Sequence, residues 1–176
     1  MKKYFAIITL SILINSAFGT IIDRPSSHQL DGATTLWGSF LTNADGIGDQ
    51  LLTDIGFDYS ISNSVELSFD LLKRAGDKFK EARKEIKLTI WAGESLGLSV
   101  GCEPGPNSDD SNFYNVKYVN EGTWLSFKSY DAVDSDTWAI GKLWTKDSGC
   151  TMGISYHFDS DDFDKGMLQL SLGKIL

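Results

Sequence analysis

The chain has 176 residues, 41% of them hydrophobic and 12% aromatic, with 17 Gly and only 3 Pro. That composition fits one folded domain and excludes a disordered tail or a polytopic helical membrane protein. Sixteen basic residues against 24 acidic ones give a net charge of −8, so there is no cationic excess for nucleic-acid phosphates.

The first segment reads as a targeting signal. Lys2 and Lys3 precede an apolar run from Tyr4 to Ile14, and Ala17-Phe18-Gly19 offers small residues for cleavage after Gly19. The run is shorter than the roughly 20 residues a helix needs to span a bilayer. Residues 1–19 are expected to be a signal peptide and 20–176 a single β-barrel domain, with 14 basic residues against 24 acidic ones. Cys102 and Cys150 then reach an oxidising compartment in which a disulfide could persist.

The remaining chain alternates in steps of two. Ala33–Thr42 reads as a first strand, followed by Ile55, Phe57, Tyr59, Ile61 and by Val65, Leu67, Phe69, Leu71, with small or polar residues between them. The same period predicts strands at Ile86–Ile90, Leu96–Val100, Tyr114–Tyr118, Cys150–Phe158 and Leu168–Leu172. Two more, 122–131 and 136–146, are aromatic on both faces, which leaves their orientation open. This makes about ten strands (8–10) and almost no helix, with 74–84 read as a long connection. Long and short connections alternate, the last long one being the Asp-rich stretch 160–165. An antiparallel up-and-down β-barrel would then gather its short turns at one end and its long loops at the other, as outer-membrane barrels do.

Aromatic residues fall near the ends of these strands: Trp91, Trp124, Trp138, Trp144, Tyr114 and Tyr130. Such rings favour membrane interfaces, and these six are expected to form interfacial belts. With segments such as Ile55-Gly56-Phe57-Asp58-Tyr59-Ser60-Ile61 and Met152-Gly153-Ile154-Ser155-Tyr156-His157-Phe158, the chain resembles the small outer-membrane β-barrel proteins of the OmpA/OmpX type. The resemblance implies transmembrane β-strands in the outer membrane of a Gram-negative cell, a porin-like architecture and a cell-surface face. The last strand departs from that type, ending in Lys174 and Leu176 rather than in an aromatic residue.

Chemistry is sparse. The only two His are His28 and His157, and no HExxH, GxSxG, CxxC or phosphate-binding glycine loop occurs. Ser155 and His157 share one strand face, where imidazole could activate a hydroxyl as in a lipid hydrolase, but two polar residues lining a barrel interior is the simpler reading. Asn43, Asp45 and Asp49 resemble half of a calcium loop, but solvated turn chemistry is the simpler account of them. No cofactor and no structural metal is expected. Residues 73–87 carry +4, and Lys73, Arg74, Lys78, Lys80, Arg83 and Lys84 could meet lipopolysaccharide phosphates. Inward positions Glu66, Asp70, Lys87 and Thr89 would fill a narrow lumen with paired charges.

The function expected is that of a non-enzymatic outer-membrane barrel with a structural, surface-interaction or limited small-solute passage role. The alternative is a soluble periplasmic or secreted β-sandwich or lipocalin-like ligand-binding protein. In the membrane topology Cys102 and Cys150 lie at opposite ends and cannot bridge, whereas in a sandwich they could.

Overall fold

The computed structural model describes residues 33–43, 51–74, 82–104, 111–131, 136–160 and 162–176, with backbone alone over 162–165. The signal segment, His28, Asp45, Asp49, Lys78 and Lys80 lie outside the described residues. Ten strands follow in chain order: β1 (Thr34–Asn43), β2 (Leu51–Ser62), β3 (Val65–Arg74), β4 (Arg83–Ala92), β5 (Leu96–Glu103), β6 (Ser111–Asn120), β7 (Thr123–Tyr130), β8 (Asp136–Thr145), β9 (Cys150–Asp159) and β10 (Asp162–Ile175). Each pairs antiparallel with its chain neighbours, and β1 pairs with β10 to close the barrel. This is the all-β, up-and-down barrel expected from the alternation, and closure excludes the β-sandwich. Leu176 N donates to Thr34 O, which fastens the two ends of the barrel wall together.

The turns at 63–64, 93–95, 121–122 and 146–149 share one end with residues 33 and 176. Three of them need a left-handed backbone: Gly93, Gly122 and Gly149 have φ of 67°, 77° and 77°. The strand ends Asn43, Leu51, Arg74, Arg83, Glu103, Ser111, Tyr130 and Asp136 lie at the other end, the loop end. The expected Asp-rich loop 160–165 is corrected, because the ladder resumes at Asp162, opposite Asp159, and a register break before Met167 absorbs the misfit.

The period-two pattern sorts residues onto two faces of opposite character. Outside are Leu36, Phe40, Ile55, Phe57, Ile90, Leu98, Val100, Ile140, Ile154, Leu170 and Leu172, all exposed. Inside are Thr35, Ser39, Asp54, Asp58, Glu66, Ser68, Asp70, Lys87, Lys117, Lys128, Ser155 and Gln169, all buried. β2 and β3 supply an acidic wall, while Lys87, Lys117 and Lys128 come from β4, β6 and β7.

Large inward rings fit because a glycine stands directly across the ladder from each. Trp37 faces Gly173, Trp91 faces Gly97, Phe113 faces Gly101 and Trp124 faces Gly141. A Cβ on Gly101 would lie 2.2 Å from the Phe113 ring and 2.6 Å from Ile86 O. Gly101→Leu is therefore expected to cost about 1–3 kcal/mol through overpacking, read as a lower urea midpoint for unfolding.

Candidate functional site

Two regions carry the chemistry: the filled lumen and the apolar outer surface. At the turn end of the lumen, Trp37, Trp91 and Trp124 are each no more than 5% exposed. Trp37 Nε1 donates to Asp58, which fixes the first indole across the mouth. At the loop end two clusters complete the filling. Leu41, Leu52, Leu72 and Met167 form an apolar half on β1, β2, β3 and β10. The other half is ionic and aromatic. Arg83 pairs with Glu103, and Tyr130 Oη donates to Glu103 Oε1 at 2.6 Å. Beside them Lys128 pairs with Glu85 and stands 3.9 Å above the Phe113 ring centroid. In a medium of low dielectric such pairs need both charges and good geometry, and this cluster supplies both.

A water-filled bore would leave its lining exposed. Here Asp54, Ser39 and Gln169 are 0–2% exposed, and Glu66, Lys117 and Lys128 no more than 2%. The described lumen is packed with side chains.

Ser155, His157 and Gln169 meet on β9 and β10. Ser155 Oγ donates to Gln169 Oε1 at 3.0 Å, and the same carbonyl lies 2.8 Å from His157 Nε2. Ser155 Oγ is also 3.0 Å from that nitrogen. Facing a carbonyl oxygen, Nε2 carries the proton and acts as a donor, so in this arrangement it is not a base toward the hydroxyl. The Trp124 ring closes the cluster edge-on, with centroids 6.2 Å apart.

The structure separates the six aromatic candidates. Tyr114 and Trp144 project from the outer face, and Trp138 lies half-buried there against Phe127 at a centroid distance of 4.8 Å. Trp91, Trp124 and Tyr130 are corrected: they sit in phase with Thr89, Ser126 and Lys128 and point into the lumen, where they cannot meet a surrounding interface. Arg83 is also corrected, because its guanidinium is turned inward onto Glu103. Arg74 shares the inward face opposite Leu52. Lys73 and Lys84 occupy outward positions at the loop end, next to Leu71. Glu66, Asp70, Lys87 and Thr89 all line the lumen as expected. Asn43 ends β1 opposite Met167.

Cys102 near the loop end of β5 and Cys150 at the turn end of β9 are both free thiols, as the barrel topology requires. The pairing of Glu103 with Tyr130 lies outside the expected strand span Leu96–Val100, because β5 continues to Glu103. Their signal was phase: each continues the inward register of its strand, Glu103 after Ser99 and Tyr130 after Lys128.

No protein-family model matches the chain, and no curated protein matches it. Among solved structures it is similar to a chain from the de novo design of transmembrane β-barrels, with a TM-score of 0.41 and 12% identity over 85% of this chain and 100% of that one. A mutant Rh. blastica porin gives a TM-score of 0.39 and 11% identity, covering 84% of this chain and 53% of the porin. The S-type phycobiliprotein lyase CPES from Guillardia theta gives a TM-score of 0.40 and 12% identity, over 85% of this chain and 88% of that one.

Proposed function

We propose that this protein is a small outer-membrane β-barrel of a Gram-negative cell, broadly of the OmpA/OmpX kind, delivered by a cleaved signal peptide. It acts without catalysis as a sealed membrane anchor that presents its long connections at the cell surface. The observation that carries this reading is the inverted polarity of the wall. Ile55, Ile90, Leu98 and Leu172 are at least half exposed, while Asp54, Glu66 and Lys128 are enclosed. A bilayer rewards that distribution, whereas a lipocalin-like binder in water needs an apolar cavity and a polar exterior. Trp138 and Tyr114 toward the loop end and Trp144 toward the turn end fit two interfacial belts. Lys73 and Lys84, outside the loop end of β3 and β4, fit anionic phosphates of lipopolysaccharide. The filled lumen favours anchoring over solute passage.

The test is fractionation of cells expressing the full chain. Retention in outer membranes through carbonate and urea washes, with release only by detergent, supports the reading. Appearance in the soluble fraction overturns it. In planar bilayers the purified barrel is expected to give no stable ion conductance, and a steady open channel would refute the sealed lumen.

A further inference from the structure

The outer face is not uniformly convex. Between β6, β7 and β8 lies a groove of about 370 Å³ lined by Val116, Tyr118, Leu125, Phe127 and Trp138. Its shape comes from alternation of size across one ladder: Val116 stands opposite Phe127, and Tyr118 opposite Leu125. The tilted Phe127 and Trp138 rings wall it toward the loop end.

Lys142 lies just beyond the groove toward the turn end. It pairs with Thr123, one outward step past the Leu125–Ile140 pair. Its ammonium donates to Glu121 O at 2.7 Å and to Thr123 Oγ1 at 3.2 Å. Both acceptors are neutral, so the charge is positioned without being neutralised, and one of its three N–H donors remains. Among the described residues no carboxylate forms an ion pair with it.

We propose that this groove is a binding site for one glycerophospholipid, whose acyl chain fills the concavity and whose phosphate meets Lys142. The inference rests on the membrane reading above and adds a lipid held in place to one that merely solvates. A flexible chain can fill an irregular apolar groove, and the amphiphile places its negative charge where the pinned cation stands. The turn end corresponds to the periplasmic side of an outer-membrane barrel, the side where Lys142 lies.

The test uses the full chain purified in detergent, incubated with phosphatidylglycerol and examined by native mass spectrometry. The wild-type protein is expected to retain one lipid. Lys142→Gln should lower retention about fivefold, the weight of one lysine at an anionic surface. Leu125→Trp and, separately, Val116→Phe fill the groove and should abolish retention, while Lys174→Gln at the same end should leave it unchanged. Equal retention in the Lys142 variant and in a folded groove variant overturns the site. So does a wild-type dimer that the groove variants dissociate, because the groove's occupant would then be a second copy of the chain. A barrel that needs detergent yet holds no lipid refutes this site alone; a barrel that leaves membranes without detergent refutes the membrane reading beneath it.

Discussion

Leu88→Arg is expected to lower the unfolding free energy in lipid vesicles by about 2–4 kcal/mol, the cost of an arginine facing lipid at the midplane. Leu88 lies in mid-strand on the outer face, between Leu67 and Val100, so the guanidinium has no polar neighbour on either side. The same substitution on a soluble barrel would be a surface change worth no more than about 0.5 kcal/mol. Urea titration of the vesicle-folded protein distinguishes the two. A loss near zero would sink the lipid-facing assignment of this face. Lys84→Arg, at the loop end of the same strand, is the control and should be nearly silent.

The second large effect lies inside. Lys128→Met leaves Glu85 buried at 7% exposure without its cation, and breaking a buried pair from one side costs about 3–5 kcal/mol. The methionine keeps the length of the stem over the Phe113 ring, so the loss reports charge rather than a cavity. Adding Glu85→Gln should recover most of it, since the orphaned charge is then gone. Denaturation midpoints of the two single variants and the double variant form the cycle that measures the coupling. Additive losses would show that the two residues do not act as a pair.

Strand number, and on most strands the sides of the wall, were legible because an apolar outer face and a polar inner face force period two on a strand. Ile55 to Ile61 and Val65 to Leu71 state it without interruption. The aromatic residues misled where position along a strand was weighed without phase. Trp91 follows Ile86, Leu88 and Ile90 but sits one step out of their register, with Lys87 and Thr89. Strand ends were least legible. Glu103 precedes Pro104, and Ser111 follows a polar stretch, yet the two pair because the neighbouring ladder extends that far. The inner partnerships depend on barrel closure and stagger: Lys128 and Glu85 are 43 residues apart, and no local pattern joins them.

The seam between β1 and β10 has a consequence for how the chain must be made. Every ladder in the wall is antiparallel, and odd-numbered strands run opposite to even-numbered ones. A chain that stops after β9 would have to close β9 on β1, two strands that run in the same direction. That seam could only be parallel, with a different hydrogen-bond geometry from all the others. The last strand therefore has no substitute, and until it arrives the sheet carries two open edges able to recruit strands from other chains. Since β1 meets β10 across nearly the whole described chain, closure comes late and the vulnerable interval is long.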